Sequence, residues 1–436
     1  MSSTPKIQAA IRQIRDLVNT DSQPTLSSRQ AKSVKRRPPR DSEWTSRFHI
    51  PAPVEDDVKS IVLQATQALG DGGEDFPELS IAPVDVEWVG HRKDSHGDRP
   101  EQQYACLLQD SSSQVTLIYV HGGGYFTAAT LARLTGGQCL SVGYRLAPQH
   151  PFPAAILDTL IAYLSLLYPP SGTPHKPTSA SCIVLCGDSA GAAVCFAVIQ
   201  TIIQAQRRSR NLAPEIMFHG NQVPLHLPAG LAALSAYGDL THSMPSWLAN
   251  AEKDYMPPTN PTLLPSFPKC KIWPTEPPRV NVLCNDTVLH HPLVSPVAVA
   301  DWTGFPPLWL CYGAEEMMVD EGKFIAQRAA QCGVSVVWEQ YGAMPHCFAL
   351  LPPFNRLPQA QKVFGNWASF CRTCVEQPEA ISTKGTFTGP DDLREREVDV
   401  GGLANLSFEE VKQRMEKARL EAAELLSRRE WLSTKL

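Results

Sequence analysis

Ser189 lies in Gly187-Asp188-Ser189-Ala190-Gly191, between the apolar run Cys182-Ile183-Val184-Leu185-Cys186 and a segment of helical character over 192–203. A serine hydroxyl is a weak nucleophile unless an adjacent base takes its proton. The G-x-S-x-G pattern serves that chemistry where a buried strand turns sharply into a helix, and this is the context here. In so tight a turn, side chains flanking the serine would clash. Glycines at 187 and 191 relieve the crowding and leave Ser189 Oγ exposed at the top of a sheet. Alone, the motif reads equally well as an ordinary Gly/Ser turn. Upstream, His121-Gly122-Gly123-Gly124-Tyr125 follows a second apolar run. Consecutive glycines let backbone N–H groups approach a ligand atom with no side chain between. Gly122, Gly123 and Gly124, with the N–H of Ala190 after the serine, form a candidate oxyanion hole, where one fixed donor stabilises a developing negative charge by roughly 3 kcal/mol. A phosphate cradle is the rival reading, but such loops carry a Lys-Ser/Thr pair at the helix start, and none is present.

These residues need a sheet to hold them. Residues 84–89 alternate as a half-exposed strand, and 115–120 form a compact apolar strand that stops at His121. Further strands are expected at 139–142, 229–235, 307–312 and 334–341, with helices at 58–69, 154–167, 320–331 and 360–374. Strands alternating with helices of this length call for an α/β fold with a mostly parallel sheet covered on both faces. Residues 245–296 are dense in proline and loop-like, yet carry Trp247, Tyr255, Trp273, Leu283 and Leu289. A connection this long inside a domain suggests a lid. The expected organisation is 1–80 as N-terminal cap helices and linker, 81–378 as the core with the insertion at 245–296, and 379–436 as a tail. In that tail, Ser407 and Glu410 make a capping box for a charged peripheral helix running to about 429.

In family order, His121-Gly122-Gly123-Gly124-Tyr125, then Tyr144-Arg145-Leu146-Ala147-Pro148-Gln149-His150-Pro151-Phe152-Pro153-Ala154-Ala155, then Gly187-Asp188-Ser189-Ala190-Gly191 resemble the hormone-sensitive-lipase-like family of α/β-hydrolases. The resemblance covers roughly residues 80 to 375, and 227–235 and 302–346 look most like fungal members, including the steryl acetyl hydrolase group. It implies an α/β-hydrolase fold with a cap, a triad in the order Ser, acid, His, and no metal or organic cofactor. The base it implies is His346, in the H-x-F context of His346-Cys347-Phe348 beyond the last core strand. The family places the acid four residues before the Asp of a D-E-G, here Asp320-Glu321-Gly322, which points to Glu316. Asp320 is the alternative, and Glu315 would face elsewhere. Asp188 and Arg145 are implied to be structural. Two departures stand out: the 121–144 connection is shorter than the family's by roughly seven or eight residues, and Gly143 replaces its usual Asp. A displacement of the oxyanion loop near 1 Å can cost about 100-fold in rate.

The expected activity is that of a carboxylesterase or lipase-like serine hydrolase, cleaving small or medium acyl esters of an apolar alcohol through an acyl-enzyme. The rivals are a non-catalytic binding protein that kept the pocket and an amide or thioester hydrolase with the same triad. A net charge of −5 gives no electrostatic case for nucleic acid, so the expected partner is a small-molecule ester. No spacing suggests a metal site among the twelve cysteines. Cys371 and Cys374 read as helix neighbours, and Cys270 and Cys284 could bridge in an oxidising compartment. Ile7, Ile11, Ile14 and Val18 form one face of an opening helix that Thr4 can cap; it docks on its own domain or, as a lesser reading, on a membrane surface. Lys32, Lys35, Arg36, Arg37 and Arg40 read as a solvated linker, with a nuclear signal or anionic-lipid patch as the alternative. No secretory leader opens the chain and no apolar run approaches the ~18 residues of a membrane span, so the expectation is a soluble cytoplasmic protein.

Overall fold

The apolar runs around the candidate site are strands. The structure, a computed structural model, describes residues 5–18, 24–33, 40–93, 100–122, 127–258, 262 and 267–433. In chain order its first half comprises α1 (Pro5–Val18), α2 (Leu26–Ser33), β1 (Glu43–Ile50), α3 (Asp57–Leu69), β2 (Val84–His91), α4 (Pro100–Asp110), β3 (Thr116–Val120), α5 (Ala128–Thr135), β4 (Gln138–Gly143) and α6 (Ala154–Leu167). Next come β5 (Ile183–Asp188), α7 (Ser189–Ser209), the hairpin β6 (Glu215–Phe218) and β7 (Asn221–Pro224), β8 (Gly230–Leu234) and α8 (Pro245–Ala249). The last part holds β9 (Leu308–Gly313), α9 (Val319–Gln331), β10 (Val336–Tyr341), α10 (Pro358–Glu376), β11 (Lys384–Thr388), β12 (Glu395–Glu397) and α11 (Phe408–Ser433).

Among the described residues, ten strands form one sheet in the order β1-β2-β4-β3-β5-β8-β9-β10-β11-β12. From β4 to β11 neighbours run parallel, with antiparallel pairs at both edges. Every residue of β3, β5, β8 and β9 is buried, as strands covered on both faces must be. One face packs against α3, α6, α7 and α9 through Val62, Leu160, Phe196 and Ile325. The other packs against α1, α5 and α10 through Ile11, Leu131 and Trp367. This is the expected α/β-hydrolase architecture.

The sheet extends beyond the 81–378 span at both ends. β1 lies in the stretch read as cap and linker, and pairs antiparallel with β2 over its whole length. β11 lies in the stretch read as tail, yet runs parallel to β10. Both sit near an edge, where residues alternate between core and solvent and leave a weak apolar signal. The tail helix starts where the capping box placed it. Ser407 N–H donates to Glu410 Oε2 at 2.8 Å, and Glu410 N–H donates to Ser407 Oγ at 3.3 Å. Val411 and Met415 on that helix are buried, so it is docked rather than wholly solvated.

Ile7 and Ile11 of α1 are buried in the core and Ile14 packs against it, so these three dock on their own fold; the Val18 side chain lies outside the described residues. Thr4 and the basic residues Lys35, Arg36 and Arg37 lie outside the described residues. α7 is long and apolar enough to cross a membrane, contrary to the reading that no segment is, but most of it is buried as a core helix. All twelve cysteines are free thiols, Cys270 and Cys284 included. The shortened connection after His121 still completes its crossover. α5 is only two turns long and ends on Gly136 with φ +69°, and β4 pairs in full parallel register with β3.

Candidate active site

The sheet register brings the candidate residues to one end. Val120 pairs with Gly187, Asp188 with Leu234, and Gly313 with Tyr341. His121, Ser189, Ser235, Glu316 and His346 therefore all follow the carboxyl ends of parallel strands, where open α/β sheets place their sites.

Ser189 is the first residue of α7 and has φ +47°. A non-glycine residue held in the left-handed region costs of order 1–3 kcal/mol and persists only where its surroundings fix it. Here the flanking glycines do so. A Cβ on Gly191 would stand 2.1 Å from Val120 O and 2.5 Å from the carbonyl carbon of His121, and one on Gly187 would stand 2.7 Å from Ala192 N. Gly191→Ala is therefore expected to cost about 3 kcal/mol or more through backbone displacement, read as a lower urea midpoint for the purified variant. A midpoint equal to the parent's would refute the crowding argument.

His346 Nε2 lies 3.1 Å from Ser189 Oγ, and His346 Nδ1 lies 3.2 Å from Glu316 Oε2. Glu316 is fully buried and His346 nearly so. The other carboxylate oxygen, Glu316 Oε1, accepts from Gly313 N–H and, at 2.7 Å, from Ser235 Oγ. The Ser235 hydroxyl in turn accepts the Cys347 N–H at 3.1 Å. A proton can pass from Ser189 to the ring while the carboxylate holds the opposite nitrogen, which is the geometry of an activated nucleophile.

Burial alone disfavours the charged imidazolium of His346. The Cys347 sulfur and the Glu316 carboxylate beside it outweigh that, so its pKa stands well above the ordinary histidine value. Burial pushes the Cys347 thiol itself up to about 11, against the lowering effect of the neighbouring His346 ring, so it is uncharged at neutral pH, where Glu316 is the anion at the ring. Burial raises Glu316 itself, against the lowering effect of its hydrogen bond with His346.

Of the two acid candidates, Glu316 is the one at the ring. Asp320 sits in the first turn of α9, where its Oδ2 accepts Ser246 N–H at 3.0 Å and its Oδ1 meets Lys323 Nζ at 3.0 Å. Asp188 is structural, accepting from Tyr119 OH and from Gly122 N–H at 3.1 Å. Arg145 is an ion-pairing residue, 2.8 Å from Asp158.

The oxyanion donors need one correction. The Gly122 N–H is committed to Asp188, so it does not point toward a carbonyl attacked by Ser189. Gly123 and Gly124 lie outside the described residues. Ala190 is the second residue of α7, and a first-turn N–H has no carbonyl one turn back to bond. The start of the glycine loop is held by Tyr144, whose OH donates to His121 O at 2.6 Å and whose ring stacks on His121 at 4.6 Å. This anchors the connection that the shortening had put in question.

Ser235 was missed in the sequence. A single serine at the end of an apolar strand carries no motif, and its φ of +47° is visible only in the fold. Cys347, at φ +48°, is the third strained residue of the site.

A seven-strand parallel core with a serine, a histidine and a carboxylate in relay at its carboxyl end defines the α/β-hydrolase class. Residues 117–350 match the family described as alpha/beta hydrolase fold, and the chain belongs to that family. It is 28% identical over 311 residues to an acetyl-hydrolase of Streptomyces hygroscopicus, covering 69% of this chain and 87% of the relative. It is 28% identical over 272 residues to an esterase of Acinetobacter venetianus, covering 60% of this chain and 76% of the relative. In fold it is similar to an esterase from the bacterial hormone-sensitive lipase family, at 23% identity and a TM-score of 0.56, over 86% of this chain and 100% of that one.

Proposed function

We propose that this protein is a serine carboxylic-ester hydrolase. The observation that carries the reading is the unbroken Ser189–His346–Glu316 relay at the carboxyl end of the sheet. Family membership and the relatives named acetyl-hydrolase and esterase support it. Ser189 Oγ attacks the ester carbonyl as His346 Nε2 takes its proton. The N–H of Ala190, with those of Gly123 and Gly124, holds the oxyanion. Collapse of the tetrahedral intermediate expels the alkoxide, which leaves with the proton from His346. Water activated by the same ring then releases the acid from the acyl-enzyme. The substrate class is a small or medium acyl group on an apolar alcohol.

A fluorophosphonate probe with the purified protein tests the nucleophile: one label per chain, mapped to Ser189, is expected. Absence of label would favour a binding protein. A panel of esters, amides and thioesters of graded acyl and alcohol size then tests the substrate class. A preference for amides or thioesters would overturn the ester assignment while leaving the nucleophile in place.

A further inference from the structure

Asp254 lies in the proline-rich insertion just beyond α8 and is fully buried. Its Oδ2 accepts the N–H of Met317 at 2.9 Å, and its Oδ1 accepts the N–H of His346 at 3.2 Å and that of Tyr255 at 2.7 Å. Met317 directly follows Glu316. One side chain therefore receives a hydrogen bond from the loop that carries the acid and another from the loop that carries the base. The same segment reinforces the acid loop twice more. Asn250 Nδ2 donates to Glu316 O at 2.8 Å, and Ser246 Oγ donates to Met317 O at 2.6 Å.

We propose that Asp254 is a positioning residue that fixes His346 and Glu316 relative to each other, a role that rests on the ester-hydrolase reading above. The ladder between β9 and β10 ends at Gly313 and Tyr341; beyond it the loops are joined by the Glu315 N–H to Met344 O bond at 3.1 Å and by Ser235, and Asp254 adds the tie that reaches the His346 backbone itself. An ionised carboxylate accepting backbone N–H groups forms stronger, shorter bonds than a neutral acceptor does. The insertion, part of the core through Trp247, Val288 and Leu289, thereby also reaches the relay itself. Its neighbour Glu252 also bonds Arg15 of α1, at 3.2 Å.

The charge at Asp254 acts in the same direction as that of Glu316. The groups facing His346 are the Glu316 carboxylate at Nδ1, Ser189 and the uncharged Cys347 thiol at Nε2 (3.1 and 3.4 Å), the Asp254 carboxylate at its backbone N–H, and the Tyr255 ring at 6.3 Å. Asp188 and Glu321 also lie within electrostatic reach. Burial raises the Asp254 pKa, against the lowering effect of the His346 ring and of the N–H groups of Met317, His346 and Tyr255; in its ionised form the carboxylate favours the imidazolium that forms as Ser189 attacks.

The test is Asp254→Asn in the full chain, assayed with a p-nitrophenyl short-chain ester across pH, with folding checked by circular dichroism. The amide keeps one acceptor but turns an N–H donor toward one of the two loops. The expected result is a 10- to 100-fold loss of kcat, the scale of a displacement near 1 Å, with KM within about twofold. The acid limb of kcat/KM is expected to move to lower pH. A folded variant with parental kcat and an unmoved limb, changed only in thermal stability, would overturn the proposal. If the Asn variant does not fold, Asp254→Ser is read the same way; if neither folds, the role is structural and the proposal fails. Ser189→Ala, run in parallel, separates the two readings. Retained hydrolysis there defeats the ester-hydrolase mechanism itself, whereas an inactive Ser189 variant beside a fully active Asp254 variant defeats only the positioning role.

Discussion

Ser189→Ala is expected to lower kcat for a p-nitrophenyl short-chain ester by a factor on the order of 10⁴ to 10⁶. The serine hydroxyl is the group 3.1 Å from His346 Nε2 at the carboxyl end of the sheet, and no proton relay survives its removal. The fold should persist, because the left-handed turn at 189 is enforced by the close approaches at Gly187 and Gly191 and not by the hydroxyl. A variant that folds like the parent but is inactive is therefore the predicted outcome. One alternative outcome is specific. The Cys347 thiol lies 3.4 Å from the same ring nitrogen. If the Ser189 variant kept activity, and adding Cys347→Ala removed it, the nucleophile would be the thiol and the serine mechanism would be wrong.

Glu316→Gln should cost roughly 10³- to 10⁴-fold in kcat, because it places the wrong tautomer at His346. Gly313 N–H and the Ser235 hydroxyl both donate to Oε1, so the amide of a glutamine must put its oxygen there and its NH₂ toward His346 Nδ1. That nitrogen then becomes an acceptor, and the ring carries its proton on Nε2, facing Ser189. A ring so oriented cannot take the serine proton. The pH dependence follows from the same contact. Activity requires the unprotonated ring, so it is lost as pH falls through the pKa of His346, which the Glu316 carboxylate helps to raise. Removing the carboxylate removes the charge that favours the imidazolium. The residual activity of the variant should thus show its acid limb at lower pH than the parent. Glu315→Gln is the control and should leave both kcat and the limb unchanged. If Glu315→Gln gave the large loss instead, the acid would have to be reassigned.

What could be read in the sequence was whatever local chemistry makes obvious. The glycines around Ser189 imply a tight turn because any larger residue would collide there, and the collisions are now measurable at Val120, His121 and Ala192. Glu316 and His346 are legible through spacing and family resemblance, not from their own surroundings. Ser235 and Asp254 could not be found that way. Each is a common polar residue without a pattern, and each matters only through partners far away in the chain, at 316 and 347 for one and at 317 and 346 for the other. Asp254, between Lys253 and the Pro257-Pro258 pair, has no mark in the sequence that would show its burial. Gly122 shows the opposite failure. Three adjacent glycines look equivalent as letters, but only the fold reveals that the first one has turned its N–H to Asp188. In the same way β1 and β11, with mixed polar and apolar residues, were legible only as partners of β2 and β10.

The placement of β11 bears on how the protein is made. In synthesis from the N-terminus, Ser189, Glu316 and His346 have all been added before residues 384–388 emerge. Until then β10, which leads into the His346 loop, has a partner only on its β9 side. Its other side presents a row of unpaired N–H and C=O groups to whatever strand comes near, on a chain still attached to the ribosome. The chain thus acquires every group of its relay before β11 can cover the exposed side of β10.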